Sequence, residues 1–291
     1  MKPAPFEYAA PRSIGEALAL LRTQDGEAKI LAGGQSLMPL LAMRLARPSL
    51  LVDLGRIEGL DSIREESGVI AIGAMTTKSS VERSELVRTR QPLFHEATRL
   101  IAHPQIRNRG TVGGSMAQAD PAAEYPAAAL ALDAKMRIVG EGGERIVDAA
   151  DFFVSTLTTA LEPGEILIEV RVPMLAPGTG WSVLEVSRRH GDFAMAGVAA
   201  TVALDGGRVR SARIALFGVG PVAVRARAAE DAVAGKQPAA ATWASAAALA
   251  RDAVEEPMSD PHASGAYRRH LAGVLVERAL AEAVTRAGTS A

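Results

Sequence analysis

Leu31-Ala32-Gly33-Gly34-Gln35-Ser36-Leu37 is the stretch on which the reading of this chain turns. An apolar run of strand composition, 28–31, leads into it, and a helix-period run, 37–45, leads out. Adjacent glycines permit backbone conformations closed to other residues and let a ligand approach without a Cβ in the way. They also let successive N–H groups converge on an anion. Ser36 is placed as an N-cap, and Pro39 is tolerated in a first helical turn. A second pair lies in Arg109-Gly110-Thr111-Val112-Gly113-Gly114-Ser115, and it too ends in a hydroxyl residue. One Gly-Gly is a tight turn; two, each followed by a small polar residue, point to a phosphate-bearing ligand at free helix starts. A side chain at Gly113 is expected to meet that ligand. Neither loop has the G-x-G-x-x-G or G-x-x-x-x-G-K-[ST] spacing, so a Rossmann or P-loop cradle is disfavoured.

Composition narrows the rest. At 291 residues the chain is longer than one core usually needs, and two domains are expected, the first subdivided. Aromatics make up 4% against 48% hydrophobic residues overall, so the cores must be built from Ala, Leu and Val. Lys+Arg total 32 and Asp+Glu 33, which gives no electrostatic case for nucleic acid or an anionic membrane. There is no cysteine, which excludes disulfides, thiolate metal sites and a cysteine-held iron–sulfur cluster on this chain. The first residues have no apolar h-region, and no apolar run is long enough to span a bilayer. A cytoplasmic protein that needs no membrane is the expectation.

Taken in order, Ser13 with Glu16 three residues on is a capping box opening a helix over 13–21. After the first glycine loop and its helix, Pro48 is read as the stop and 50–54 as a buried strand. A hairpin follows at 62–73, turning at Ser67-Gly68. One helix is expected over 77–87 and another over 92–101. Residues 116–126 read as irregular because of their prolines, and 127–132 as a short apolar segment. A second hairpin flanks Gly140 to Gly143, and 166–172 is the strongest strand. Pro177-Gly178-Thr179-Gly180 marks a boundary. Beyond it, 181–186, 194–204 and 209–218 read as strands, and 225–233, 243–254 and 267–286 as helices.

No histidine falls in a metal spacing, no metal site is expected, and no Ser-His-Asp order stands out. The chain offers a cradle without an acid–base or nucleophilic site, so no catalytic residue is assigned. That suits a protein whose cofactor carries the chemistry. Arg107-Asn108-Arg109 is either a solvated charge run or part of the second loop's site. Arg188-Arg189-His190-Gly191-Asp192-Phe193 is equally open: a turn with Phe193 packed in the core, or a cation and an aromatic ring facing a flavin.

These motifs, with Gly73-Ala74-Met75-Thr76-Thr77, Ala119-Asp120-Pro121, Gly178-Thr179-Gly180-Trp181 and Gly191-Asp192-Phe193, carry a resemblance. The chain resembles the medium, FAD-binding subunit of the molybdenum hydroxylases, of the carbon monoxide dehydrogenase and xanthine dehydrogenase type. The resemblance implies an α+β fold. A two-lobed FAD-binding domain of the vanillyl-alcohol oxidase type, 1–176 (lobes 1–57 and 58–176), precedes a smaller βββ-plus-helices domain, 177–291. It implies FAD as cofactor, its diphosphate held by Ala32, Gly33, Gly34, Gln35, Ser36 and Leu37 from one lobe. Thr111, Gly113, Gly114 and Ser115 hold it from the other, with Ile101 and Asn108 beside them. Glu124 falls at the ribose or diphosphate, Leu161 on the adenine side, and Arg188 and Phe193 beside the isoalloxazine. An iron–sulfur small subunit and a molybdopterin large subunit are the implied partners, in a dimer of heterotrimers. Carbon monoxide dehydrogenases usually carry His where this chain has Gln35 and Tyr where it has Phe193, so the substrate is not implied. The rival reading is a stand-alone FAD oxidase or dehydrogenase of a small organic substrate.

Overall fold

The computed structural model describes residues 2–23 and 27–289; the outermost residues of the two expected domains lie outside them. The first lobe holds β1 (Glu7–Ala9), α1 (Ile14–Arg22), β2 (Ala28–Leu31), α2 (Leu37–Ala42) and β3 (Leu50–Asp53). Its sheet has the order β1-β3-β2, all parallel, with β3 buried at the centre. α1 begins as expected: Ser13 Oγ accepts from the Glu16 N–H at 3.2 Å. The Glu16 carboxylate accepts from the Arg12 N–H at 2.8 Å, one residue earlier than the usual reciprocal bond. α2 stops at Ala42, well before Pro48, and Arg44 then takes a left-handed φ of 61°.

The second lobe runs β4 (Ile63–Glu66), β5 (Val69–Gly73), α3 (Lys78–Arg83), α4 (Glu85–Arg90), α5 (Pro92–Leu100), α6 (Pro104–Arg107), α7 (Val112–Gln118), α8 (Glu124–Ala131), β6 (Lys135–Gly140), β7 (Gly143–Asp148), α9 (Ala149–Phe152), β8 (Phe153–Ser155), β9 (Thr158–Thr159) and β10 (Ile166–Pro173). The helix expected over 77–87 is two, because Ser84 ends α3 and caps α4, accepting from the Val87 N–H at 3.3 Å. The stretch expected to be irregular is helical at both ends, and only 119–123 lies outside α7 and α8. Every residue of α8 is buried, which alanine permits by letting neighbours close in.

The five strands pair antiparallel in the order β4-β5-β10-β6-β7. β10 is buried on both faces. Ile166 and Ile168 pack with the first lobe, while Leu167, Val170 and Val172 pack with the helices. A bulge between Leu167 and Glu169 shifts the alternation midway.

The rest of the chain is β11 (Thr179–Val186), β12 (Ala196–Asp205), β13 (Arg208–Phe217), β14 (Val224–Arg225), α10 (Arg227–Val233), α11 (Ala240–Asp252) and α12 (Gly265–Thr289). The sheet β11-β12-β13-β14 is antiparallel throughout. One face, with Val198, Ala200 and Leu216, packs on α10–α12. The other, with Val183, Ala199 and Phe217, joins the core of the second lobe. Alternation therefore aims residues 181, 183 and 185 of β11 at the second lobe and 182, 184 and 186 at α12. α12 lies so close on β11 that a Cβ at Gly180 would come within 2.6 Å of the Ala287 N.

Candidate functional site

The first glycine loop links β2 to α2, and Gly34 takes φ +74° to make the turn. Gly33 stands against the second loop. A Cβ there would lie 2.8 Å from the Arg109 carbonyl carbon and 2.8 Å from the Gly110 Cα. Gly110 in turn faces the Gln35 side chain, and Gly114 faces Ala32. Two loops some eighty residues apart in the chain thus meet backbone to backbone.

None of the N–H groups of Gly33, Gly34, Gln35 and Ser36 has a protein acceptor among the described residues. Gln35 folds back, donating from Nε2 to the Gly33 carbonyl at 3.2 Å. Ser36 is exposed and makes no side-chain cap, which corrects the expected role of its hydroxyl: with φ −100° and ψ −46° its backbone is already helical.

The second loop is held more tightly. Thr77 and Thr111 form an isolated bridge, flanked by Lys78 N–H to Gly110 O at 2.8 Å and Val112 N–H to Thr76 O at 2.9 Å. That pattern turns the Thr111 N–H outward, and it has no protein acceptor among the described residues. Thr111 is the working cap: its Oγ1 accepts from the Gly114 N–H at 3.1 Å. Gly113 is buried, donates its N–H to Ala74 O at 2.9 Å, and would place a Cβ 2.7 Å from the Ala74 Cα. Its role is packing, not the ligand contact expected of its side-chain position. Gly114 and Ser115 are half-buried at the surface of the loop.

Three ionisable groups are shifted here: Lys78 and Glu124 are buried and Glu185 is half-buried, and sequence reasoning missed Lys78 and Glu185. Lys78, the first residue of α3, is buried and held below the usual lysine range by desolvation, with Glu124 opposing. Its Nζ stands 5.7 Å from the Tyr125 ring centroid. Glu124, the first residue of α8, is pushed up to about 7 by burial; its backbone hydrogen bond and Lys78 draw it down, and Asp120 adds to the rise. Glu185 on β11 is pushed up to about 8 by burial and by the charge of Glu124. Its signal was in the sequence: a carboxylate in phase with Trp181 and Val183. Lys78 had none.

The segment before the second loop divides into two roles. Arg107 is buried and structural. It pairs with Glu82 at 2.9 and 3.1 Å and donates to the carbonyls of Ile101 at 2.9 Å and Ala102 at 3.2 Å. Ile101 is buried, with its carbonyl committed to that bond. Asn108 and Arg109 are exposed.

The loop after β11 docks on this segment. A Cβ at Gly191, φ +86°, would lie 2.7 Å from His103 Nδ1, and His103 stacks with His190 at 6.5 Å. Arg188 is exposed and held by the His262 Nδ1 at 3.1 Å. Phe193 is 68% exposed, which removes the core-packing alternative. Leu161 is half-buried against the core, its N–H donating to the Thr159 hydroxyl at 3.3 Å.

The arrangement fits a dinucleotide diphosphate: a cradle closed to side chains at Gly33, edged by N–H groups of both lobes that have no protein acceptor among the described residues. Among the described residues, no group of three or more His, Asp or Glu could hold a metal ion. Among the described residues, no helix is long and apolar enough to cross a membrane either.

Comparison with known proteins identifies the family. Residues 4–175 match the family model for the FAD binding domain in molybdopterin dehydrogenase, and residues 181–283 match that for the CO dehydrogenase flavoprotein C-terminal domain. The chain is 43% identical to the carbon monoxide dehydrogenase medium chain of Hydrogenophaga pseudoflava, covering 98% of this chain and 99% of that protein. It is 44% identical to the 6-hydroxypseudooxynicotine dehydrogenase complex subunit alpha of Paenarthrobacter nicotinovorans, covering 99% and 97%. A solved structure of carbon monoxide dehydrogenase from Hydrogenophaga pseudoflava superposes with a TM-score of 0.96 at 44% identity, over 98% of this chain and 99% of that one.

Proposed function

This chain belongs to the FAD-binding subunits of the molybdenum hydroxylases, of the carbon monoxide dehydrogenase and xanthine dehydrogenase type, and on that premise we propose that it is the electron-transfer subunit of such a complex. It binds FAD, which when bound accepts electrons and passes them to an external acceptor. The electrons come from [2Fe–2S] clusters on an iron–sulfur partner, reduced in turn by a molybdopterin chain, in a dimer of heterotrimers in the cytoplasm. The absence of cysteine here supports clusters held elsewhere.

The observation that carries the reading is the meeting of the two glycine loops. The N–H groups of residues 33–36 and of Thr111 bind the diphosphate, and Ala32, Leu37, Gly114 and Ser115 wall it. Gly113 supports the second loop from behind. Glu124 meets the ribose side, Ile101, Asn108 and Leu161 flank the adenosine, and Arg188 and Phe193 border the isoalloxazine. The FAD-binding domain is taken as 1–176 and the C-terminal domain as 177–291, since β11 opens a separate sheet at Thr179.

Co-expression with an iron–sulfur chain and a molybdopterin chain of this family tests this. A stable complex whose flavin is reduced only through the partners supports the reading. An isolated chain that turns over an organic substrate with FAD alone replaces it with the stand-alone oxidase.

A further inference from the structure

Lys78 stands where the two glycine loops meet, and its ammonium has no hydrogen-bonding partner. The bridge between Thr77 and Thr111 sets Lys78 opposite Gly110, with the Lys78 N–H on the Gly110 carbonyl at 2.8 Å. The side chain then runs across Gly110. A Cβ built on that glycine would lie 3.5 Å from the Lys78 Cδ and 3.6 Å from the Gln35 Cγ of the first loop. Lys78 is only 8% exposed. Among the described residues its Nζ makes no hydrogen bond, and no carboxylate oxygen lies within 4.0 Å of it. Glu124 acts on it from farther off, and the Tyr125 ring centroid is 5.7 Å away. The three N–H donors of a buried ammonium call for acceptors. Nor is the atom sealed in. The buried side-chain atoms that lack both a partner and solvent among the described residues are Gln91 Oε1, Glu185 Oε2 and Arg268 Nε, so what stays accessible of Lys78 includes its Nζ.

We propose that the Lys78 ammonium donates to an oxygen of the FAD diphosphate, supplying the full positive charge that a cradle of neutral N–H groups lacks. This rests on the FAD assignment above. Burial disfavours an ammonium at this place, and the charge of Glu124 offsets part of that penalty. A diphosphate within hydrogen-bond reach offsets more, because both donor and acceptor are then ionised. Lys78 therefore destabilises the empty chain and stabilises the loaded one.

The test is the affinity of the deflavinated full chain for FAD, followed by flavin fluorescence, and for ADP as competitor, beside its melting temperature. Lys78→Met keeps the length of the side chain and removes the charge. It should raise the FAD dissociation constant about 10- to 150-fold, the factor for one hydrogen bond to a charged group. ADP carries a diphosphate too, so its affinity should fall by a like factor. The empty Lys78→Met chain should melt no lower than wild type, since an unpaired buried ammonium has gone. Lys78→Gln, uncharged but polar, is made alongside, and the variant that melts nearest to wild type decides. Wild-type affinity for FAD in that variant overturns the proposal. So does a loss for FAD that ADP does not share, which would place the ammonium at another part of the cofactor. If wild type itself binds no FAD, the cofactor assignment fails and the proposal falls with it.

Discussion

Replacing Gly33 by alanine should separate the contact between the lobes from the stability of the chain. The new Cβ would lie 2.8 Å from the Arg109 carbonyl carbon and the Gly110 Cα. Non-bonded carbons settle at about 3.5–4.0 Å, so the loops must part by roughly 0.7 Å or more. The obstacle is backbone on both sides, and the second loop is pinned by the bonds to Thr76, Ala74 and Lys78. The shift therefore falls on the first loop, whose N–H groups are the free ones. Overpacking of this kind costs about 1–3 kcal/mol of stability. Losing one charge-assisted N–H bond to the diphosphate costs about 1.5–3 kcal/mol of binding, roughly a 10- to 150-fold rise in the FAD dissociation constant. Gly207→Ala is the control. Gly207 has φ +75° in the β12–β13 turn, and nothing lies within 4 Å of its Cβ position. Alanine there costs about 1–2 kcal/mol of backbone strain and touches no ligand. Melting temperature and FAD titration of both apoproteins decide the matter. Comparable melting losses with an FAD defect in Gly33→Ala alone support the cradle; equal FAD affinity in the two variants refutes it.

Gly113→Val should cost the fold first, by about 1–3 kcal/mol or more in melting experiments on the apoprotein, because the side chain meets Ala74 rather than ligand. Thr111→Ala should lose about 1 kcal/mol with its cap, while Ser36→Ala should change stability by less than about 0.5 kcal/mol, and paired denaturant titrations check both. Apoprotein stability should fall as pH rises from about 4.5 to about 8. Glu124 and Glu185 are raised to about 7 and about 8, so in that window the folded chain holds protons that the unfolded chain has released. The slope is at most about 1.4 kcal/mol per pH unit for each group, Glu185→Gln should remove its share, and urea unfolding across pH measures it.

The periodic parts of the fold were readable before any coordinates. The capping box at Ser13, the hairpin at Ser67-Gly68 and the strand 166–173 each carry a local signal. What escaped is set by tertiary context. β1 is three residues long and exists because β3 offers it an edge. α8 opens with Glu124 and contains Pro126, so its first turn reads as irregular and the rest only as a short apolar segment, yet burial on all sides holds it helical. At the site, the glycine loops were legible as a pair, but their mutual contact was not, since nothing in either loop encodes the other's position. Gly113 illustrates the limit. The motif marks it as special, and only the position of Ala74 shows that the reason is packing. Phe193 is the converse, an aromatic whose exposure no local pattern reveals.

The central claim is that this subunit receives its electrons through partner chains. Its most direct test is the flavin absorbance of the assembled complex, mixed anaerobically with the organic substrate of the molybdenum chain in a stopped-flow instrument. The flavin band should bleach in the complex, stay unchanged when the isolated FAD-loaded chain meets the same substrate, and fail to bleach when the iron–sulfur chain is omitted. Bleaching of the isolated chain at the rate seen in the complex would contradict that claim.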